Sequence, residues 1–509
     1  LWQSLNFTRA MRYQLPIYPT LAVIAAWGLT ELLRWIWQRK SKFQASLKAG
    51  AVVLAVFVIL GTAAWGFAFS RIYTRPITRL AASDWIYQNV PAAVTIPIET
   101  DGGLTNQPVA YQLGDTISAD KPMILRYRPR ATGNLQKIEF TFATDMAATG
   151  RVKTLFVDVL DGANGETIGS AFLQSDFAYS GGDPRGQKAE VLFGQDLRLQ
   201  EGNEYRLMVR LAEADERITV YGPINLTLSD QGREQWDWLP EPVFSLTGGV
   251  PFVNTFNAIV TGEVREVRLN RVVDRSGTPG EKTLRVTLSD DSGGSQTALL
   301  SSDFLAGGDP RGESAQFELP APFQVEKGRS YTLTLTLEKG EGQLGIHAAK
   351  QVFESSWDDP LPYSRYGIDW NGYTSGVFRT DLNLELYWDD NAEKLERIVT
   401  ALDQADYIYL SSNRQWGTTV RVPERYPLTT EYYRRLLGCP ADEEVLNCYR
   451  KAVPGMYLGE LGYELDQVFT SYPNLGSLSF NSQYAEEAFS VYDHPKVMIF
   501  KKTAEFDST

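Results

Sequence analysis

The run Ala49–Phe69, AGAVVLAVFVILGTAAWGFAF, holds 21 residues without a charge. A bilayer core takes about 20 apolar residues in helix. A charge-free helix this long is uncommon inside a soluble core, so the run predicts a transmembrane helix. A second span is predicted over Leu15–Leu33. It contains Pro16, Pro19 and Glu31, but proline is tolerated in a first helical turn, and Glu31 lies near the end, within reach of the interface. Residues 34–48 between the spans carry Arg34, Arg39, Lys40, Lys42 and Lys48, with Trp35 and Trp37. The positive-inside rule puts this loop in the cytoplasm and the tryptophans at the interface. The expected localisation is therefore a multi-pass cell-membrane protein, extracytoplasmic from about residue 70 onward.

The charge distribution agrees. Residues 1–80 hold ten basic residues and one acid, Glu31, whereas the rest of the chain holds 39 basic and 61 acidic residues. Such a chain meets anionic lipid at one end only. An acidic body excludes nucleic acid as a partner, because phosphate binding needs clustered Lys and Arg. The chain opens on Leu1, without a signal-peptide pattern; we expect it to be part of a longer polypeptide.

The middle of the chain repeats itself. KTLFVDVLD at 153–161 returns as KTLRVTLSD at 282–290, SDFAYSGGDPRG at 175–186 as SDFLAGGDPRG at 302–312, and EGNEYRLMVRL at 201–211 as KGRSYTLTLTL at 327–337. Order and spacing are kept across all three blocks. Alternation of apolar and polar residues with Gly, Asp and Ser between runs predicts strands. We read two tandem all-β sandwich modules, 105–245 and 248–350. Asp176, Asp183, Asp303 and Asp309 in the repeated GGDPRG blocks suit a hard cation or a sugar. They equally suit a tight turn in which Gly and Pro set the backbone and Asp caps it, and the turn is the simpler expectation.

Residues 80–102 read as a short helix, a Pro-bearing turn and a strand. Residues 351–509 alternate in the same way, with helices at Ala392–Gln404 and Thr429–Leu437, the latter stopped by Gly438, and strands at Tyr407–Ser412 and Val497–Lys502. The predicted fold class is mixed: two transmembrane α-helices (residues 1–75), an extracytoplasmic α/β domain (80–102 and 351–509) and the two sandwich modules inserted in it. Cys439 and Cys448 are the only cysteines, and in an oxidising exterior a disulfide is the natural pairing.

Recognisable chemistry is sparse. The two histidines, His347 and His494, lie far apart in sequence, and HExxH, CxxC, GxSxG and P-loop patterns are absent. GEGQLG at 340–345 matches a dinucleotide fingerprint by letter but lies between predicted strands and opens no helix, so a hairpin turn is expected. No metal site is expected and no cofactor is evident; a divalent cation is left open. SSWDDPLPYSRYGIDW at 355–370 gathers Trp357, Asp358, Asp359, Arg365 and Asp369 among aromatics. It suits a glycan contact, centred on Trp357, Asp358 and Asp359, or a solvated loop packed on the α/β domain.

MRYQLPIYPTLAVIAAWGL at 11–29 resembles a late transmembrane segment of the family 39 glycosyltransferases, integral membrane enzymes of the polyprenol-phosphate-sugar-dependent, mannosyltransferase-like kind. Arg12, Tyr13, Leu15, Pro16, Tyr18 and Pro19 carry it. SDWIYQNVP, WDDPLP, NRQWGTTVRVPERYPLTTEYYRRLLG and YDHPKVMIFKK are similar to the C-terminal extracytoplasmic region of bacterial members. The resemblance covers about 1–100 and 351–509. It implies a hexosyltransferase moving sugar from a polyprenyl-phosphate carrier to an extracytoplasmic acceptor, with membrane lipid and lipid-linked sugar as partners. The catalytic carboxylate of such enzymes lies in an early outer loop upstream of this chain. No catalytic residue is therefore assigned here, and the chain alone is expected to be inactive. Arg12, with Tyr13, is the candidate contact to carrier phosphate; an interfacial Arg marking a helix end is the equal alternative. A different class of reading is a two-span surface protein whose modules bind glycan or a partner protein. A third treats the modules as spacers.

Overall fold

The computed structural model describes residues 16–38, 44–112, 114–129, 131–178, 185–194, 196–229, 233–236, 242–277, 280–356, 358–366 and 375–507. Arg12, Tyr13, Asp183, Trp357 and Asp369 lie outside them. The chain divides into two compact units. One comprises Leu1–Asp84, Val352–Tyr363 and Leu382–Thr509; the other comprises Trp85–Gln351 and Ser364–Asp381.

The first unit begins with helices α1 (Tyr18–Gln38) and α2 (Gln44–Ser70), which pack side by side. No residue of α1 is buried, and in α2 only Ala51 and Ala68 are. The helical stretch Gln44–Asn89 is long and apolar enough to cross a membrane; among the described residues no other helix is. Helix α1 carries the Glu31–Arg34 pair and falls short of that apolarity. A turn of 3-10 helix, Arg71–Thr74, leads from α2 into α3 (Thr78–Asn89).

The α/β part of this unit has a sheet in the order 382–383, 352–353, Tyr407–Leu410, Val497–Lys502, Tyr463–Phe469. The last three strands pair antiparallel. Helices α4 (Ala392–Gln404), α5 (Pro427–Leu437) and α6 (Val445–Lys451) supply Ile398, Leu402, Leu436 and Tyr449 to the core against Ile408 and Phe500. Each such burial contributes about 1.5–3 kcal/mol. Asn391 caps α4 by accepting from the Lys394 amide at 2.8 Å. Helix α5 ends at Gly438 with φ +77°, where a Cβ would lie 1.8 Å from the Leu458 carbonyl oxygen. The Cys439–Cys448 disulfide then ties the end of α5 to α6. Lys496 donates to the carbonyls of Tyr449 and Ala452, each at 2.7 Å, at the end of α6. Burial pushes its ammonium down to about 8.

The second unit holds two sandwiches that repeat each other in one of their two sheets. In the first, one sheet runs Met123–Tyr127, Tyr205–Leu211, Lys153–Asp161, Thr167–Ser175. In the second, the matching sheet runs Phe252–Asn257, Ser330–Lys339, Lys282–Asp290, Ser295–Ser302. Alternate residues point inward: Leu155, Val157 and Val159 in one copy, Leu284, Val286 and Leu288 in the other, all fully buried. A buried ion pair recurs at matching positions, Asp145–Lys153 at 2.5 Å and Asp274–Lys282 at 3.2 Å. The copies meet through buried Asp115, which accepts from Arg275 at 2.9 Å and Ser245 at 2.8 Å.

Two boundaries differ from the sequence expectation. Strand Val94–Thr100, placed above in the α/β domain, pairs antiparallel with Gly262–Asp274 of the second sandwich. Its alternation specifies a half-buried strand but not which sheet receives it. The 351–509 segment is also divided: Ser375–Gly376 pairs with Tyr111–Gln112 in the sandwich unit.

Candidate functional site

Two places combine exposed and buried polar chemistry. The first surrounds the start of α3. Arg79, in the first turn and 4% exposed, donates through Nε to the Ser411 carbonyl at 3.0 Å and through Nη2 to the Val491 carbonyl at 2.9 Å. It also pairs with Asp359 at 2.9 Å, whose carboxylate is half exposed. Asp358, beside it, is buried. It accepts from Gln415 Nε2 at 3.1 Å, and Arg414 Nη1 lies 3.5 Å away. Ser83 Oγ accepts from the Tyr363 amide at 2.8 Å. Deeper, fully buried Glu354 accepts from the Tyr433 hydroxyl, and its second oxygen has no partner among the described residues.

Burial raises the carboxyl of Glu354 well above its usual range, helped by the charge of Asp358. Burial also raises Asp358, against the pull of Gln415 and Arg414. Neighbouring carboxyls with raised pKa can hold a proton to higher pH than free acids do. The structure thus brings Asp358 and Asp359 together with Arg79, Glu354 and Gln415. The last three were not legible as site residues. Arg79 reads as one more basic residue after a span, and its carboxylate partner is some 280 residues away in the chain.

His494 shows a second polar arrangement in this unit. Its Nε2 lies 3.0 Å from Ser482 Oγ and its Nδ1 is bonded to Asp493. This is the bond order of a nucleophile–base–acid relay. However, His494 is fully buried and Ser482 is 7% exposed. The ring lies edge-on to Phe69 of α2 and to Phe489, and Asp493 accepts from Tyr73 at 2.7 Å. The arrangement ties the end of α2 to the α/β layer and presents no nucleophile.

The second place is the outer face of the four-stranded sheet of the first sandwich. Arg210, Phe156 and Phe172 form one row across three strands. Phe172 is 61% exposed and its ring centroid lies 6.2 Å from that of Phe156. The Arg210 guanidinium sits 4.7 Å over Phe156 and bonds Asp158 at 3.2 Å. Ser170 donates to the other oxygen of Asp158 at 2.7 Å. An exposed ring thus stands beside a fixed cation, a carboxylate and a hydroxyl. In the second sandwich the same row is Thr336, Arg285 and Leu299, and the Asp158–Ser170 pair becomes Thr287–Thr297 at 3.0 Å.

The second GGDPRG block, residues 307–312, turns on a hydrogen bond from the Gly312 amide to the Asp309 carbonyl at 3.0 Å. Asp176 and Asp303 accept from the amides of Ala178 and Leu305. Phe177 and Phe304 between them take φ of 49° and 51°, with both rings buried. Asp309 is engaged by Arg311 at 2.7 Å and Arg271 at 3.3 Å. Among the described residues no group of three or more His, Cys, Asp or Glu is placed to hold a metal. Gly340 and Gly342, with φ +96° and +97°, turn one strand into the next in the GEGQLG segment.

No family model matches the chain, and no curated protein does. Solved structures align over about half of it. One holds the M60 catalytic domain with the CBM51-1 and CBM51-2 domains of Clostridium perfringens ZmpB, at 8% identity over 50% of this chain and 35% of that one, TM-score 0.12. Another is a fucolectin from striped bass serum, at 10% identity over 47% and 83%, TM-score 0.13. A third is the CBM22-1-CBM22-2 tandem domain of Xyn10C from Paenibacillus barcinonensis, at 11% identity over 50% and 96%, TM-score 0.14. The chain spans about a third of the length of the first.

Proposed function

We propose that this is a membrane-anchored protein that holds its sandwich modules outside the cytoplasm, and that the first module binds glycan. The supporting observation is the Arg210–Phe156–Phe172 row with Asp158 and Ser170 beside it. A sugar ring presents C–H groups to an aromatic face and hydroxyls to charged and polar neighbours. The anchor is supported by the exposed apolar length of α2 and by the basic residues between 34 and 48, which orient it under the positive-inside rule. The test is a glycan array probed with the whole chain in nanodiscs. Binding to a restricted set of glycans is expected; a blank array at multivalent density would contradict the reading.

A second reading rests on one observation. Segments that resemble family 39 glycosyltransferases, around Ser83, Asp358, Gln415 and Val491, converge on the Arg79 cluster. On this reading the chain is the C-terminal part of an enzyme that uses a polyprenyl-phosphate sugar, with its catalytic carboxylate upstream. Sequencing the coding DNA upstream of Leu1 tests it. An open frame with further hydrophobic spans and an acidic first outer loop supports the enzyme, and a start codon immediately upstream contradicts it.

A further inference from the structure

We propose that the hairpin Asn474–Ser479 and the residues after it dip into the outer leaflet beside α2, making the α/β layer a lipid-contacting surface; this rests on the reading that α2 spans the membrane. The chain from Thr470 to Ala485 has no charged residue. Its centre folds as two short paired strands, Asn474–Leu475 and Leu478–Ser479, turned at Gly476 with φ +58°. Leu478 and Tyr484 are more than half exposed.

Its position relative to α2 gives the depth. Phe480 packs edge-on against Trp65, ring centroids 5.5 Å apart, and Asn474 Oδ1 accepts from Arg75 at 2.5 Å. Trp65 lies six residues before Arg71, the first charge after the apolar run. At 1.5 Å per residue that is about 9 Å inside the charged boundary. The polar zone of a leaflet is only about 5–8 Å thick. A ring against Trp65 therefore reaches the hydrocarbon edge, the level at which Trp anchors collect. The apolar surface of α2, exposed along its length, meets Phe480 at Trp65, so one bilayer covers both. Arg75 holds the hairpin base at the headgroup level.

The test uses the whole chain in liposomes, with an environment-sensitive fluorophore on Leu478→Cys or, separately, on Val58→Cys in the middle of α2. The native cysteines are paired and stay unlabelled. Lipids carrying a shallow spin label are expected to remove most of the emission at position 478. Deep-labelled lipids are expected to do so at position 58. Quenching at 58 without quenching at 478 overturns the proposal and leaves the spanning helix standing. Quenching at neither position overturns the spanning helix, and the proposal with it.

Discussion

The two sandwich modules share a core and differ on one face. Both bury the same alternate residues, the same Lys–Asp pair and the same strained Phe in the turn after the fourth strand of the outer sheet. Their outer faces part company. The first copy presents Phe172, Phe156 and Arg210 over a buried Asp158, and the second carries Leu299, Arg285, Thr336 and Thr287 at the matching positions. In the second copy, threonines and serines bond across strands, as at Thr283–Ser301, 2.8 Å, and Arg285 turns to Glu338. Such pairs do no more than hold neighbouring strands together. Duplication provides an internal control: what both copies keep belongs to folding, and what one copy alone has is free to serve recognition.

The largest expected effect lies in the shared core. Lys153→Met leaves Asp145 buried without its cation, and Lys282→Met does the same to Asp274. Each is expected to cost about 3–5 kcal/mol, measured by denaturant unfolding. Unequal losses would break the equivalence of the two cores. Next come the turn glycines. Gly312 has φ +88° and Gly186 φ +99°, and an added Cβ would meet the carbonyl oxygens of Val272 at 1.9 Å and Ala143 at 2.2 Å. Alanine at either is expected to destabilise by about 2 kcal/mol, with glycan binding by the folded fraction unchanged.

Acid provides a smaller test. Burial opposes ionisation of Asp145, but hydrogen bonds from Lys153 and Thr149 outweigh it and hold the carboxyl below its usual 3.8. A lowered folded-state value means stability that is present above pH 3.8 and lost as pH falls through the folded value. Asp145→Asn is expected to flatten the fall of melting temperature with acidification. Glu354 in the α/β layer has the opposite sign. Its raised carboxyl stabilises fully below pH 4.5, and that contribution is lost as pH rises through the folded value. Glu354→Gln is expected to remove this alkaline loss, as followed by thermal melts across the range.

The sequence made the repeat legible because strand alternation and turn residues recur at a nearly constant offset. Helices α4 and α5 were legible from their periodicity and from Gly438. The recognition face was hidden because the repeat is recognised by what the copies share, and Phe156, Phe172 and Arg210 sit where they differ. Their grouping depends on cross-strand register, which a single strand does not reveal. The Arg79 cluster was half visible: Asp358 and Asp359 stand out as paired acids, but their cation comes from the far end of the chain. Strand Val94–Thr100 was legible as a strand and not as a partner of Gly262–Asp274, because its pattern fits either sheet.

The most direct test of the central claim is a calorimetric titration of a glycan found on the array into the whole chain, its Phe172→Ala variant and its Leu299→Ala variant. Phe172→Ala is expected to weaken binding at least tenfold, about 1.4 kcal/mol, while Leu299→Ala leaves it unchanged. Equal affinity for the wild type and Phe172→Ala, or an equal loss in both variants, would contradict it.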